Sequence, residues 1–131
     1  MFGYAVGLDL TRRDLQTAAK QKGLPWDTRK GFDFSAPVGE LVRAADIEPL
    51  APRQLSLEVN GTRRQASTLD QLIWDVPEIL DELSKLYALK AGDLVFMGTP
   101  AGVGPLQVGD AFTAHLDDVL SLEGRIVAPV R

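Results

Sequence analysis

The chain has 131 residues, 45% of them hydrophobic and none of them cysteine. A single soluble domain of this length can bury a core, and the lack of cysteine excludes disulfides and cysteine-based metal or thiol chemistry. With 18 acidic against 14 basic residues the net charge is −4, which argues against a nucleic-acid partner. No apolar run reaches the roughly 20 residues that span a bilayer, and the start does not resemble a signal peptide. We therefore expect a cytoplasmic protein with no membrane partner.

The first predicted elements are a short buried strand and a helix. The apolar run at residues 4–8 predicts the strand. Thr11 with Asp14 three positions later resembles a capping box, which predicts that the helix begins there. Gly23 and Pro25 predict its end, because glycine adopts the left-handed conformation that follows many helices and proline cannot continue one.

A long irregular stretch, residues 24–52, follows the helix and is rich in proline, glycine and aromatic residues. Segments of this kind usually carry function or an interface. Beyond it, apolar residues alternate over residues 55–59, and Asn60-Gly61 separates them from residues 62–66. This pattern predicts a β-hairpin with a type I′ turn, which requires positive φ at both central residues.

Apolar residues at helical spacing dominate residues 69–86. Thr68 with Gln71 forms a second potential capping box, and the apolar face is interpreted as part of the core. Pro77 lies inside the pattern. It predicts either a kink or two helical pieces with Pro77 in the first turn of the second.

The last third of the chain predicts turns that lead into strands. Gly92-Asp93 and Gly109-Asp110 each precede an apolar run and predict two similar β corners. Residues 116–127 add one or two strands, with the turn at Asp117-Asp118. Strands and helices do not alternate strictly, so we expect one mixed α+β domain over residues 1–131, a β-rich sandwich or roll with two main helices.

Asp9 is the first candidate for a chemical role. It follows the predicted buried strand, where a carboxylate is unfavourable unless it is paired or bound to a cation. Arg13 and Gln16 lie three positions apart on one face of the predicted helix, so all three side chains can line one pocket. The spacing is compatible both with a metal site and with a simple ion pair between Asp9 and Arg13.

Two further segments carry candidate residues. Lys30 lies in the aromatic, proline-rich loop and suits either an anion or enolate site or plain solvent exposure. The glycine loop at residues 98–104 includes Thr99, whose hydroxyl can donate to a carboxylate or phosphate. The loop is not a P-loop, because no Gly-Lys-Ser/Thr follows it. His115, the single histidine, is interpreted as structural because no second ligand or nucleophile accompanies it.

Taken in chain order, these segments resemble the fumarylacetoacetate hydrolase family, and within it most closely the acylpyruvase and fumarylpyruvate hydrolase type. The resemblance rests on residues 3–16, 22–26, 30–32, 36–37, 59–61, 92–93 and 98–104. It implies the family's β-rich catalytic domain, present in part, and covers nearly the whole chain.

The resemblance implies an enzyme that depends on Mg²⁺ or Mn²⁺ and hydrolyses a C–C bond in 2,4-dioxo acids such as fumarylpyruvate, as in the catabolism of aromatic compounds. The alternative within the family is a decarboxylase or isomerase of a β-keto acid such as oxaloacetate. A hard cation with oxygen ligands suits both, because it stabilises the enolate. The resemblance further implies Asp9 as metal ligand, Arg13, Gln16 and Thr99 as substrate-binding residues, Lys30 as both catalytic and substrate-binding, and a homodimer.

The sequence also departs from the family. Members carry a Glu-x-Glu pair of metal ligands, and many a lid with a His and a Glu, before the point that corresponds to Gly3. His115 does not fall at the lid position. Asp9 alone should hold Mg²⁺ poorly, so we expect weak or no hydrolysis from this chain by itself. The two hypotheses are the C-terminal part of an enzyme, which the five retained site residues favour, and a non-catalytic interaction module.

Overall fold

The computed structural model describes residues 1–23 and 30–128. In chain order its elements are β1 (Gly3–Tyr4), α1 (Arg13–Lys22), β2 (Val42–Arg43), α2 (Ala44–Ile47), β3 (Gln54–Val59), β4 (Thr62–Thr68), a 3₁₀ turn (Leu69–Gln71), α3 (Val76–Leu86), β5 (Ala111–Leu116) and β6 (Leu120–Arg125). The predicted α+β class is confirmed. Among the described residues, α1 and α3 are the two long helices, and none of the helices has the length and apolar character needed to cross a bilayer.

Four antiparallel strands in the order β4-β3-β5-β6 form the main sheet, and β1 pairs with β2 in a second, two-stranded sheet. Alternate residues of a strand point to the same face. The face that carries Ala114, Leu116 and Leu120 is buried against Val6 and Ile47. The core therefore lies between the main sheet and the segments around β1 and α2.

The predicted hairpin is confirmed. Val59 pairs with Thr62, so the loop has two residues, and Asn60 and Gly61 have φ values of +50° and +75°. The Asn60 amide also donates to Asp110 Oδ1 at 2.7 Å, while its Oδ1 accepts from the backbone N–H of Ala111 at 3.0 Å. These two hydrogen bonds hold the hairpin turn against the start of β5.

Both predicted Gly-Asp corners are present with the same geometry. Gly92 and Gly109 have φ values of +96° and +98°. Asp93 accepts from the backbone N–H of Lys90, and Asp110 from that of Gln107, each at 2.8 Å. The hydrogen bond from the Gln107 N–H, and after it the one from the Asn60 amide, lower the pKa of Asp110.

Only the second corner leads into a strand. β5 follows Asp110, but residues 94–96 form no strand, so that expectation is wrong. Within residues 1–23 and 30–128 these residues pair with no neighbouring strand, and Leu94 is 61% exposed. Backbone conformation alone does not make a strand, because the ladder needs a partner.

The predicted strand at residues 4–8 is shorter than expected. Only Gly3 and Tyr4 belong to β1, and an isolated bridge then joins Gly7 to Val38. Pro37 lies in the facing segment and has no N–H to donate, which interrupts the ladder. Tyr4 fastens this segment: its hydroxyl donates to Glu48 Oε1 at 3.0 Å. Burial first, and Glu48 second, raise the pKa of Tyr4 to about 12.

Helix α1 begins at Arg13, and its N-cap residue Arg12 makes no side-chain cap. The capping box predicted at Thr11 is wrong, because the Thr11 hydroxyl donates to the backbone oxygen of Asp9 instead, at 3.3 Å. The helix end is as predicted: Gly23 has φ +62°, and its N–H donates to the Ala19 carbonyl. Pro25 lies outside the described residues.

Of the two alternatives for residues 69–86, the structure has two pieces, the 3₁₀ turn and α3, with Pro77 in the first turn of α3. The capping box is formed by Asp75 and Glu78, with both side chain to backbone distances at 2.8 Å. The predicted box at Thr68 is therefore wrong, since the Thr68 hydroxyl bonds to the Asp70 carboxylate.

The interpretation of residues 69–86 as core holds only for Leu69, which is half-buried against the core cluster. No residue of α3 is buried, and Ile73 and Leu86 are 95% and 76% exposed. The amphipathic pattern produces the helix, but its apolar face is at most half-buried.

Candidate active site

A cavity of about 620 Å³ lies between the segment that follows β1, the hairpin and the glycine loop. Four of the five predicted site residues line it: Asp9, Arg13, Lys30 and Thr99. Gln16 is not part of the lining. Its Oε1 accepts from Arg13 Nη1 at 2.9 Å, so it contacts the site through Arg13.

Asp9 and Lys30 form an ion pair at the wall of this cavity. Lys30 Nζ donates to Asp9 Oδ2, and the two side chains are 52% (Asp9) and 37% (Lys30) exposed. The partner of Asp9 is therefore Lys30 rather than Arg13. Because both groups are hydrated, the pair contributes little to stability, and the unfavourable burial expected for Asp9 does not arise.

The carboxylate of Asp9 is a suitable ligand for a divalent cation and would supply one oxygen. Asp9 lines the cavity, and its Oδ2 is bonded to Lys30. In the part of the chain that the structure describes, no three His, Cys, Asp or Glu side chains lie together as a metal site. Mg²⁺ and Mn²⁺ favour several oxygen ligands, so the remaining ligands would come from water, substrate or residues other than these.

The cavity lining is cationic although the chain is acidic. Its charged side chains are Arg12, Arg13, Lys30 and Arg64 against Asp9 and Asp14, a net charge of +2, whereas the whole chain carries −4. A concave surface with excess positive charge concentrates anions near it. The site thus favours an anionic ligand.

The glycine loop is held against β4 by close backbone contact. Gly102 has φ +100°, and a Cβ placed there would lie 2.0 Å from the Arg64 carbonyl oxygen. Gln65 adds two hydrogen bonds from its Nε2, to Thr99 Oγ1 at 2.8 Å and to the Pro100 carbonyl at 2.7 Å. Thr99 is therefore fixed at the rim of the cavity.

Arg64 and Gln65 belong to the site but do not emerge from the sequence reasoning. Leu57 pairs with Gln65 while Glu58 pairs with Arg63, so Arg64 is the extra residue of a β-bulge. Bulges redirect side chains, and here both Arg64 and Gln65 line the cavity. The available signal is the pair of consecutive arginines, 63 and 64, which breaks the alternation of a regular strand.

His115 lies in β5, where it pairs across the sheet with Ser56 and Ser121, and it does not line this cavity. The structural role inferred for it from the sequence stays a prediction.

Residues 1–127 match the family described as fumarylacetoacetate (FAA) hydrolase C-terminal. A fumarylpyruvate hydrolase of a Ralstonia species is 42% identical over 122 residues, which cover 93% of this chain and 63% of that protein. An oxaloacetate tautomerase of Escherichia coli is 45% identical over 117 residues, or 88% of this chain and 53% of that protein.

The crystal structure of a fumarylpyruvate hydrolase from Pseudomonas aeruginosa in complex with Mn²⁺ and pyruvate superposes with a TM-score of 0.90 at 45% identity. The aligned region covers 98% of this chain and 55% of that one. The chain thus spans between about half and two thirds of the length of these three proteins.

Proposed function

Since the chain belongs to the fumarylacetoacetate hydrolase family, we propose that it forms part of a divalent-metal-dependent hydrolase that cleaves a C–C bond in a 2,4-dioxo acid, an acylpyruvate such as fumarylpyruvate. The observation that carries the proposal is the cationic cavity in an acidic chain, with Asp9, Arg13, Lys30 and Thr99 on its wall. The fumarylpyruvate hydrolase from the Ralstonia species supports this substrate class.

In this proposal each side chain has a separate task. Asp9 supplies one oxygen ligand to Mg²⁺ or Mn²⁺, and the bound cation provides Lewis-acid stabilisation of an enolate. The Thr99 hydroxyl donates to the substrate carboxylate, and Arg13, held by Gln16, adds positive charge beside it. Together they bind the 2-oxo acid end of the substrate.

Lys30 acts on the charge that develops when the bond breaks. Its ammonium is held by Asp9 at the wall of the cavity, so it is already oriented before substrate arrives. Preorganised donors of this kind lower the free energy of a transition state in which negative charge moves onto oxygen. Lys30 thereby favours the enolate over the keto form of the 2,4-dioxo acid, whose carboxylate is ionised in both.

The second candidate is the tautomerisation, or the decarboxylation, of oxaloacetate. It is favoured by the 45% identity to the Escherichia coli oxaloacetate tautomerase. Both reactions pass through the enolate of a 2-oxo acid, which the same cavity stabilises. Assays with an acylpyruvate and with oxaloacetate, following carboxylic acid release, loss of CO₂ and enol absorbance, separate the three reactions.

Calorimetric titration of the chain with Mg²⁺ and Mn²⁺, with and without oxalate as a mimic of the enolate, tests the metal site. We expect weak metal binding that oxalate strengthens modestly, because Asp9 is one ligand. Asp9→Ala should abolish the signal, and Asp118→Ala, an exposed acidic control, should keep it. Tight binding of Mg²⁺ or Mn²⁺ that depends on oxalate would contradict our expectation that this chain supplies only part of the metal ligands. Absence of any oxalate or metal binding would favour the interaction module.

A further inference from the structure

The two contacts of the Gln65 amide determine the direction of both hydrogen bonds. The Pro100 carbonyl, 2.7 Å away, can only accept, so the atom that faces it must be the amide nitrogen. The second hydrogen of that nitrogen then points to Thr99 Oγ1 at 2.8 Å. The Thr99 oxygen is therefore an acceptor in this pair.

A threonine hydroxyl has one hydrogen, and an oxygen that accepts from Gln65 keeps that hydrogen for another acceptor. Among the described residues, no side-chain hydrogen bond has Thr99 as its donor, and Thr99 lines the cavity. An accepted hydrogen bond also polarises the hydroxyl and makes it a stronger donor. The hydroxyl is thus poised to donate to an anion in the cavity.

We propose that Gln65 is a positioning residue that holds Thr99 as a hydrogen-bond donor to the carboxylate of the ligand. The proposal rests on the proposed function, since it assumes a carboxylate in this cavity. Gln65 lines the cavity, but both hydrogens of its amide are donated to the glycine loop. The contact of Gly102 with the Arg64 carbonyl keeps the loop within reach, and the bulge at Arg64 sets Gln65 opposite Leu57.

The test reverses the polarity of the amide. Gln65→Glu replaces the donor by a carboxylate, which accepts from Thr99, draws its hydrogen away from the cavity and can no longer donate to the Pro100 carbonyl. We expect oxalate to bind roughly tenfold more weakly, measured by NMR chemical-shift titration. The matched control is Gln21→Glu, an equal change of charge at an exposed position of α1, which should bind oxalate like the unmodified chain.

A double-substitution cycle separates this role from a general effect of charge. Thr99→Val should weaken oxalate binding by the same factor as Gln65→Glu, whereas Thr99→Ser keeps the hydroxyl and should bind oxalate normally. The double variant Gln65→Glu with Thr99→Val should bind oxalate no more weakly than either single variant. Additive losses, or normal binding by Gln65→Glu, would overturn the proposal. If Gln65→Glu does not fold, the valine and serine variants still decide whether the hydroxyl contributes.

A ligand-free measurement distinguishes failure of this inference from failure of the proposed function. Both side-chain amide hydrogens of Gln65 should exchange more slowly than those of exposed Gln21, and Thr99→Val should remove the protection of one of them. Equal exchange at Gln65 and Gln21 would overturn the geometry. If the exchange result holds but the unmodified chain binds no oxalate, the proposed function fails, and with it the role of Gln65 towards a carboxylate.

Discussion

Asp9 and Lys30 are 21 positions apart in the sequence, yet their side chains meet at the wall of one cavity. The sequence singles out both residues from their types and surroundings, but not their contact, because residues 24–52 show no periodicity from which the position of Lys30 could be inferred. It favours Arg13 as the partner of Asp9, since helical spacing is the only geometry that the residues themselves supply.

Substitution of either member of this pair should abolish cleavage of an acylpyruvate. Asp9→Ala removes the predicted metal ligand, and Lys30→Ala removes the ammonium that stabilises the enolate. The assay uses a polypeptide that contains these 131 residues and has the full length of the relatives. Lys20→Ala, an exposed change on α1, is the control and should remain active. Full activity in either site variant would refute its role.

At the scale of elements, local signals predict the turns and the end of α1 correctly, whereas the two predicted capping boxes, at Thr11 and Thr68, are wrong. The type I′ turn at Asn60-Gly61, the glycine C-cap of α1 and both Gly-Asp corners are as predicted. Strand pairing and burial depend on residues far away in the chain. For this reason residues 94–96 form no strand and the apolar face of α3 is not buried, contrary to the predictions. The bulge at Arg64 is missed for the same reason, because its register exists only in the paired hairpin.

The capping box of α3 provides a test of local stability. Asp75→Ala removes the acceptor of the Glu78 N–H and should lower the free energy of unfolding by about 1 kcal/mol, measured by urea denaturation. Asp75→Ser keeps a capping oxygen and should lose much less. Equal effects of the two changes would show that the cap does not stabilise α3.

The glycine loop contains a matched pair of positions. Gly98 and Gly102 both have φ +100°, but an added Cβ meets nothing within 4 Å at Gly98 and lies 2.0 Å from the Arg64 carbonyl at Gly102. Gly102→Ala should therefore displace the loop, shift the NMR signals of Thr99 and weaken oxalate binding. Gly98→Ala should produce only the backbone strain common to both. Similar effects at the two positions would refute the role of close contact.

At the scale of the whole molecule, several large apolar side chains are exposed near one another. Tyr87, Leu89 and Leu94 are 63%, 40% and 61% exposed and line a second cavity of about 620 Å³, with Leu83 and Phe96. Contiguous apolar surface usually marks an interaction site. This surface supports our proposal of a homodimer, which the family resemblance also implies.

We expect a two-fold dimer by light scattering at micromolar concentrations. Leu94→Glu places a charge on the apolar surface and should shift the chain towards a monomer. Val119→Glu, a change of the same kind in the turn between β5 and β6, should leave the dimer intact. A monomeric unmodified chain would contradict the prediction.

The hydrogen bond between Tyr4 and Glu48 makes the packing of residues 4–9 sensitive to high pH. Burial first and Glu48 second raise the pKa of Tyr4 from 10.0 to about 12 in the folded chain, so the stability that the neutral phenol contributes is fully present below pH 10 and is lost as the pH rises towards 12. The same segment carries Val6 into the core and Asp9 to the cavity. The phenolate absorbs at longer wavelength than the phenol. Tyr4 is therefore an optical reporter: it is the single tyrosine left in the Tyr87→Phe variant, and ultraviolet titration of that variant should follow the release of the segment that carries Asp9.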